Sequence, residues 1–513
     1  MVVDRFENGD PSNDELDGIG VVPGDLARFQ GGDWRGLTER LDYIAALGMS
    51  AIWISPIVAN VPRLPRSDGY HGYWASDFTE LNPRFGSEED LQALVARAHA
   101  LDLAVIVDVV PNHAGRVFTY DLDGDGVEDE GEAEPPFRET PYEVPLTWQF
   151  RPRLFGADGA VIQLEERHFR RQGVGNLGIG EERREGDFTD GLRDLYTEDE
   201  EVIEALIATY AEWAIRMDFD GFRIDAVPHV AMPFWERFCD GVRRRLAAAG
   251  KERFYMVGEA FERDAAAIAQ WTSEGALDAG FDFPFKWHVV DAVLLGGAPP
   301  TRARIALEEG RALYRDAPQP LGSGLTPWEA RVALLDNHDV PRIRTELDDP
   351  FAIDTALVAL FTSDAIPVVY YGTEQELTGR SHDEARSPMW ETGFATDGAT
   401  YGLVRRLAML RRESAALRRG TLTIRYASEV GGAELEAPTP DAGLLVWERE
   451  HEGEHVVTAI NSHPVQSSRA RVPVGAEPGT RLVDALDPTT YCVVLGDRTI
   501  DLVVPPRRAL VLR

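Results

Sequence analysis

Apolar positions in the first part of the chain follow two periods, one typical of helices and one typical of buried strands. Helical spacing is shared by Leu37, Leu41, Ile44 and Leu47. Gly48 is suited to a left-handed helix cap, and the uninterrupted apolar run 51–54 that follows predicts a buried strand. A helix that leads at once into a buried strand is the repeating unit of a parallel sheet covered on both faces.

The same unit recurs along the chain. Ser87 is a candidate N-cap, Thr197 and Glu200 have capping-box spacing, and the helical patterns that they open lead into apolar strands at 104–108 and 221–225. Further strand candidates are 254–259, 278–283, 331–337 and 366–371. With the segment 2–6 as the first strand, about eight units predict a (β/α)8 TIM barrel. An open doubly wound sheet is the alternative, which the lack of a Gly-rich phosphate loop disfavours.

Two stretches interrupt this rhythm. Residues 111–190 are rich in Pro, Gly, Arg and acidic residues and are too long for an ordinary βα loop, so we expect an inserted domain. From about residue 420 the pattern changes to short alternating strands, which predict a C-terminal all-β sandwich: 442–449, 454–462, 499–504 and 508–512. The predicted division is barrel 1–110, inserted domain 111–190, barrel 191–420 and sandwich 421–513.

Charge and composition narrow the classes of partner. Lys and Arg number 52 against 87 Asp and Glu, a net charge of −35, which repels phosphate backbones and anionic lipid. No apolar run approaches the ~18 residues of a membrane span. We therefore expect neither nucleic acid nor membrane as a partner. The two cysteines, Cys239 and Cys492, exclude a disulfide framework and a cysteine-rich zinc site.

The first residues carry no signal-peptide pattern. Because a strand is expected almost at once, we expect that residues upstream are missing. The compartment stays open, and secretion or a periplasmic location is compatible with the sequence. We expect a monomer.

Polar side chains collect where the predicted strands end. They are Asp108, Asn112, His113, Arg223, Asp225, Glu259, Asn337, His338 and Asp339. Because the carboxyl ends of barrel strands form one rim, these groups are expected to converge. Carboxylates without an activated Ser or Cys suit glycosidic bond cleavage, in which one protonates the leaving oxygen and another attacks or stabilises the sugar. A metal hydrolase is the alternative, but no HExxH pattern supports it.

Two of these carboxylates are expected to differ in protonation. Arg223 and Asp225 lie two residues apart in a strand, so both side chains face the same way and the guanidinium keeps Asp225 ionised, as a nucleophile requires. Glu259 has no sequence-adjacent cation, and we expect a raised pKa there, as a general acid requires.

An acidic loop matches the EF-hand template in full. Its predicted calcium ligands are Asp121, Asp123, Asp125, the carbonyl of Val127, Asp129 and Glu132, with Gly126 at the sharp turn. Its flanks are not helical, so we expect an isolated loop that rigidifies the inserted domain.

Several motifs then point to one family. DVVPNH (108–113), GFRIDAVPH (221–229), GEA (258–260) and LLDNHD (334–339) resemble the four conserved stretches of the α-amylase family, glycoside hydrolase family 13, in the same order. GYHGYW (69–74), GDWRGL (32–37) and IPVVYYGTE (366–374) resemble further family segments. The resemblance spans essentially the whole chain.

This resemblance implies a retaining hydrolase that cleaves α-1,4-glucosidic bonds in starch-derived glucans or maltodextrins by double displacement. It implies Asp225 as nucleophile, Glu259 as acid/base and Asp339 as the carboxylate that stabilises the transition state. The implied sugar-binding residues are Arg223, His113, His338, Tyr73 and His71. The alternative is a transglycosylase of the glucanotransferase or cyclodextrin-forming or -degrading type. Non-enzymatic relatives lose the catalytic carboxylates, whereas all three are present here.

Two further implications follow from the resemblance. Many starch-cleaving members carry Lys-His where this chain has Pro228-His229, and proline offers no donor to a sugar on the leaving-group side. Two more calcium sites are implied. The first comprises Asn8, Asp10, Asn13, Asp14, Gly31 and Asp33, and the second comprises Asn112, Asp194 and the carbonyl of His229. Hard oxygen ligands favour calcium over zinc or copper.

Overall fold

The computed structural model describes residues 1–126, 134–138, 144–347 and 349–513, and parallel strands lie at its centre. Five strands pair in chain order, namely β1 (Ala51–Ile54), β2 (Ala104–Val109), β3 (Gly221–Ile224), β4 (Tyr255–Gly258) and β5 (Ala279–Gly280). Two more, β6 (Val332–Leu334) and β7 (Ile366–Val368), also pair in parallel. A parallel bridge between Phe281 and Val332 joins the two sheets. These seven strands confirm the strand predictions from residue 51 onward.

The predicted strand 2–6 is wrong, because Val3–Arg5 forms a 3-10 turn. The backbone nevertheless lies along the outer edge of β1, where Ser55 N–H donates to the Met1 carbonyl (3.0 Å). The turn follows from burial of two opposite charges. Arg5 Nε lies 2.8 Å from Asp4 Oδ2, and Asp4 also accepts backbone N–H groups from Gln30 and Gly31.

Helices cover the strands on the outside. The longer ones are Trp34–Ala46, Glu88–Ala100, Glu200–Arg216, Met232–Ala248, Pro350–Thr362 and Ala399–Glu413. Shorter ones are Glu182–Glu185, Ala265–Ala269, Arg304–Leu307, Ile343–Glu346, His382–Ala385 and Ala415–Arg419, and Phe285–Leu295 is a π-helix. Within the described ranges, none has the length and apolar character of a bilayer-spanning helix.

One predicted helix start needs correction. Ser87 caps its helix as expected, in a reciprocal capping box with Asp90. In contrast, the helix that the spacing of Thr197 and Glu200 predicts begins at Glu200 and is capped by Asp199. The Asp199 side chain accepts the N–H groups of Glu201 and Val202. An Asp directly before the helix reaches the free N–H groups of the first turn, so the capping-box spacing from Thr197 is not used.

Short antiparallel pairs occupy the chain between β2 and the helix Glu200–Arg216. They are Phe118–Tyr120 with Leu146–Trp148, Arg153–Phe155 with Val161–Gln163, and His113–Ala114 with Arg193–Asp194. Buried Arg193 lies 2.8 Å from both Asp187 and Glu134, so this segment has its own ion-paired centre. The last pair returns the chain to the residues just after β2. The boundaries 111–190 of an inserted domain remain a prediction.

The C-terminal part is all β, as predicted. An antiparallel sheet comprises Thr421–Ala427, Leu444–His451, Glu454–Asn461 and Arg508–Leu512. Two further pairs are Ser468–Pro473 with Thr499–Val504 and Arg481–Val483 with Tyr491–Val493. Trp447 is buried and donates through Nε1 to the carbonyl of Thr362 (3.2 Å), which attaches this sheet to a barrel helix.

Candidate active site

The carboxylates at the ends of β3 and β4 meet at the guanidinium of Arg223. Its Nη1 lies 2.6 Å from Asp225 Oδ1, and its Nη2 lies 2.7 Å from Glu259 Oε2. Nη1 also donates to Asp108 Oδ1 at 3.0 Å. Strand register explains this meeting, because Arg223 is paired with Asp108 in β2 and with Val257 in β4. Adjacent parallel strands thus deliver three acidic groups to one cation.

Asp339, just after β6, is held by a second set of contacts. Its Oδ2 lies 3.0 Å from His338 Nε2, and its Oδ1 accepts from Arg386 Nη2 at 3.1 Å. Arg386 also donates to the main-chain carbonyl of His338 (3.0 Å). The Asp339 side chain is 30% exposed, and those of Asp225 and Glu259 are 13% and 14% exposed. All three carboxyl groups therefore remain accessible to a ligand.

Tyr73 connects the two sets. Its hydroxyl donates to Asp108 Oδ2 (2.7 Å) and lies 3.0 Å from His338 Nε2. Its ring stacks against His338, with 5.4 Å between centroids and 12° between planes, and against His71 at 5.6 Å and 24°. The structure thus brings together Tyr73, His71 and His338, as the sequence predicts.

His113 takes a more hidden position than a ligand-binding residue would need. It is 1% exposed, its Nε2 lies 3.3 Å from the Tyr73 carbonyl, and its ring stacks on Phe188 at 4.9 Å. It supports the Tyr73 loop from behind. A direct contact between His113 and a sugar remains a prediction.

Burial controls protonation at the centre. Desolvation raises the pKa of Asp225 to about 6 and that of Glu259 to about 8, although Arg223 lowers both. Glu259 has no sequence-adjacent cation, as predicted, but Arg223 contacts it in space. The expected raised pKa nevertheless holds, because burial and the nearby charges of Asp225 and Asp339 outweigh that contact. At neutral pH, Asp225 is mostly ionised and Glu259 mostly protonated.

The pKa of Asp339 is lowered, in contrast to those of Asp225 and Glu259. Burial acts to raise its pKa, but His338 and Arg386 bring it down to about 2. His338 itself is neutral at ordinary pH because burial lowers its pKa to about 3. One permanently ionised carboxylate therefore stands beside an acid/base pair that titrates near neutrality.

The sequence does not predict that Trp53 and Arg386 belong to this site, and it assigns no specific role to Asp108. Trp53 of β1 donates through Nε1 to Asp108 Oδ2 (3.1 Å), and nothing in a strand pattern shows that a tryptophan points inward to a carboxylate. Arg386 lies 47 residues beyond Asp339 and outside every motif used. Asp108 was noted as a strand-end residue, but its link between Arg223 and Tyr73 depends on strand register.

The predicted EF-hand loop is described only in its first half. Carboxylate oxygens of Asp121, Asp123 and Asp125 lie within 4.8 Å of one another, and Asp121 accepts the N–H groups of Gly124 (2.8 Å) and Gly126 (3.0 Å). Gly126 has φ of +78°, as a sharp turn requires. The other predicted ligands, Val127, Asp129 and Glu132, lie outside the described residues.

The predicted site near the start of the chain is partly assembled. Asn8 Nδ2 donates to Asp14 Oδ1 (2.9 Å), and a Cβ on Gly31 would come within 2.5 Å of the same oxygen. The side-chain oxygens of Asn8 and Asn13 are buried and accept no hydrogen bond from the described residues. Two buried oxygens without donors fit a cation.

Two residues of the predicted calcium site near the start of the chain, Asp33 and Asp10, are already paired with protein groups. Asp33 accepts backbone N–H groups from Gly9, Asp10 and Gly36, and Asp10 pairs with Arg35 at 2.9 Å. These two carboxylates order the loop by themselves.

The third predicted calcium site already contains a positively charged side chain, that of Arg170. Asp194 and Asn112 are neighbours, since Leu195 N–H donates to the Asn112 carbonyl (3.0 Å). The Oδ1 atom of Asn112 is buried and accepts from none of the residues that the structure describes, but Asp194 Oδ2 lies 2.6 Å from Arg170 Nε. The guanidinium of Arg170 neutralises the carboxylate on which calcium would depend, so the fit with His229 and calcium is poorer here.

A family profile, two relatives and a solved structure are similar to this chain over most of its length. A family profile described as "Alpha amylase, catalytic domain" matches residues 1–139 and 184–406. An α-amylase from Streptomyces lividans is 31% identical over 96% of this chain and 57% of its own length. A cyclomaltodextrin glucanotransferase from Klebsiella oxytoca is 26% identical over 93% of this chain and 72% of its own. The crystal structure of an Anoxybacillus α-amylase superposes with a TM-score of 0.77 at 27% identity, covering 100% of this chain and 96% of that one. The chain thus spans little more than half the length of the Streptomyces relative.

The raised pKa of Glu259 predicts a pH-dependent cost to stability. Its pKa is raised from 4.5 to about 8, so the stability contributed by its protonated form is complete below pH 4.5 and is lost as pH rises through 8. Glu259→Gln does not titrate and is therefore expected to be more stable than wild type by roughly 1–4 kcal/mol at pH 8. The two proteins are expected to converge near pH 4.5.

Thermal or urea unfolding at both pH values measures this difference. Glu39→Gln, on the exposed face of the helix Trp34–Ala46, is the matched control and is expected to show no such pH trend. An unchanged difference between pH 4.5 and pH 8 for Glu259→Gln would contradict the burial argument.

Proposed function

Because the chain belongs to the α-amylase family, glycoside hydrolase family 13, we propose that it is a retaining glycosidase acting on starch-derived glucans or maltodextrins. The proposal is carried by the pairing of Asp225 and Glu259 on neighbouring nitrogens of Arg223. Retaining enzymes need two carboxyl groups about 5–5.5 Å apart, one ionised and one protonated. Asp225 and Glu259 lie close together because they share one guanidinium, and their pKa values of about 6 and 8 suit the requirement for one ionised and one protonated group.

The first step breaks the α-1,4-glucosidic bond. The Glu259 carboxyl gives its proton to the glycosidic oxygen, and Asp225 Oδ attacks the anomeric carbon to form a covalent glycosyl ester while the leaving sugar departs. In the second step the Glu259 carboxylate takes a proton from water, the water oxygen attacks the anomeric carbon, and Asp225 is released. General acid catalysis by Glu259 contributes about 10²–10⁴ in rate.

The surrounding residues stabilise the charge that develops on the sugar. Asp339, kept ionised by His338 and Arg386, places a negative charge beside the oxocarbenium-like carbon. The Tyr73 ring, held by its hydrogen bond to Asp108, would lie under that sugar, as the family resemblance implies. Arg223 lowers the pKa of Asp225 and so favours its return as a leaving carboxylate.

Transfer to a second sugar is the alternative outcome of the same chemistry. The Klebsiella relative named as a cyclomaltodextrin glucanotransferase supports this alternative. The two outcomes differ only in whether water or a sugar hydroxyl attacks the glycosyl ester. Incubation with maltoheptaose separates them, since hydrolysis gives shorter linear products and transfer gives longer or cyclic ones.

Removal of the nucleophile tests the assignment. Asp225→Asn is expected to lower kcat/KM on 4-nitrophenyl α-maltoside by a factor of roughly 10³–10⁵, because the amide cannot form the ester intermediate. Asp102→Asn is the matched control, because it makes the same change at an exposed residue just before the first residue of β2. It is expected to leave the rate unchanged. Full activity in Asp225→Asn would refute the proposal.

The two raised pKa values predict a bell-shaped rate profile. Activity requires ionised Asp225 and protonated Glu259, so kcat/KM is expected to rise with pH through about 6 and to fall through about 8. The two limbs belong to the coupled pair rather than to single residues. A profile without an alkaline limb between pH 7 and 9 would remove Glu259 as the proton donor.

We further propose that calcium binds at the loop of Asp121, Asp123 and Asp125 and at the cluster of Asn8, Asn13 and Asp14. The first set offers converging carboxylates, and the second offers two buried oxygens that have no donor within the described part of the chain. Bound calcium would supply positive charge that cross-links these loops, with no part in bond cleavage. Calcium at Asn112 and Asp194 stays a weaker prediction because Arg170 already occupies Asp194.

Chelation tests this proposal. EDTA is expected to lower the melting temperature by several degrees and added calcium to restore it, since a ligand that binds only the folded state stabilises it. Asp123→Asn is expected to weaken the calcium-dependent shift, whereas Asp102→Asn should retain it. A melting temperature unaffected by EDTA would dismiss both sites.

A further inference from the structure

The segment between β2 and the helix Glu200–Arg216 reaches the rim of the barrel through Arg183. This residue lies on the short helix Glu182–Glu185. Its Nη1 donates to Glu262 Oε1 at 2.9 Å, and its main-chain carbonyl accepts from His229 Nδ1, also at 2.9 Å. Glu262 follows Glu259 by three residues, and His229 follows Asp225 by four. Arg183 therefore spans the ends of the two strands that carry the proposed nucleophile and acid.

These contacts place Arg183 on one particular side of the cleft. The turn Val227–His229 lies directly beside the acid, because Val227 N–H donates to the main-chain carbonyl of Glu259 (3.1 Å). Asp339 and its partners His338 and Arg386 come instead from the chain after β6. Since Glu259 is the proposed proton donor to the leaving oxygen, a group held beside it lies toward the departing part of the substrate.

The guanidinium of Arg183 has donors to spare. The Arg183 side chain is 24% exposed and that of Glu262 is 31% exposed, so solvent reaches their ion pair. Its Nε is buried and donates to no acceptor among the residues that the structure describes, so the donors open to a ligand are those at the solvent-exposed part of the side chain. Glu262 engages only one face of a group with five N–H donors. Pro228, in the turn below, has no side-chain donor at all.

We propose that Arg183, oriented by Glu262, binds hydroxyl groups of the glucose units on the leaving-group side of the cleaved bond. The inference rests on the proposed function and identifies a specificity-determining residue for it. A planar guanidinium presents two parallel N–H donors to vicinal hydroxyls of one sugar, which a proline at 228 cannot do. Arg183 thus supplies from the inserted segment the donor that the barrel turn lacks.

Substrates that differ only in their leaving group test this inference. Arg183→Met is expected to lower kcat/KM on maltoheptaose about 10- to 100-fold, because a charge-assisted contact to the departing glucose units is lost. On 4-nitrophenyl α-maltoside, whose leaving group is an aryl ring without hydroxyls for this contact, the loss is expected to be less than about threefold. Arg183→Lys should recover part of the maltoheptaose rate.

Arg184→Met is the matched control, since Arg184 is the exposed next residue of the same helix and its removal changes the charge equally. It is expected to leave both rates within about twofold of wild type. Equal losses on the two substrates in Arg183→Met, or no loss on either, would overturn the inference. A wild-type protein inactive on both substrates would instead contradict the proposed function, so the two failures are distinguishable.

Discussion

One buried cation, Arg223, sets the properties of the whole site. Its guanidinium is 1% exposed and contacts carboxylates from three successive strand ends, those of Asp108, Asp225 and Glu259. A buried arginine must be paired, but a single positive charge cannot stabilise three negative ones in a region of low dielectric. The surplus acid is held in its protonated form, and Glu259, with a pKa of about 8, takes that state. The proton that general acid catalysis needs is thus a consequence of unequal charge at this point.

The other polar groups at this rim are connected to Arg223 by direct contacts through Asp108. Tyr73 shares Asp108 with Arg223 and contacts His338, which contacts Asp339. A change at any of these groups therefore reaches both the acid/base pair and the ionised carboxylate. Strand register brings Asp108 and Arg223 together with the residues that follow β3 and β4, whereas Arg183 and the proposed calcium loops lie outside the barrel strands. Rigid strands suit the reacting groups, and loops suit the groups that select the substrate.

Much of the fold and site could be predicted because it follows from local pattern. Strands β1 to β7 were predictable from apolar runs, and Asp225, Glu259 and Asp339 from their places at strand ends. In the C-terminal part, alternation predicted Leu444–His451, Glu454–Asn461, Thr499–Val504 and Arg508–Leu512 but not Thr421–Ala427 or Ser468–Pro473. Predictions failed where a tertiary contact decided the outcome. The segment 2–6 turns because Asp4 and Arg5 are buried together, and the helix Glu200–Arg216 begins at Glu200 because the side chain of Asp199 caps its first turn.

The sequence by itself determined which chemical groups are present, their order along the barrel and the family to which the chain belongs. Only the tertiary structure decided which groups share a partner. Glu259 has no cation directly beside it in sequence, yet Arg223 lies against it because parallel strands place residues of different strands side by side. Arg386 meets Asp339, and Arg183 meets Glu262, across 47 and 79 residues of chain. Electrostatic interactions depend on distance in space, and periodicity along one chain carries no information about the distance between residues on different strands and loops.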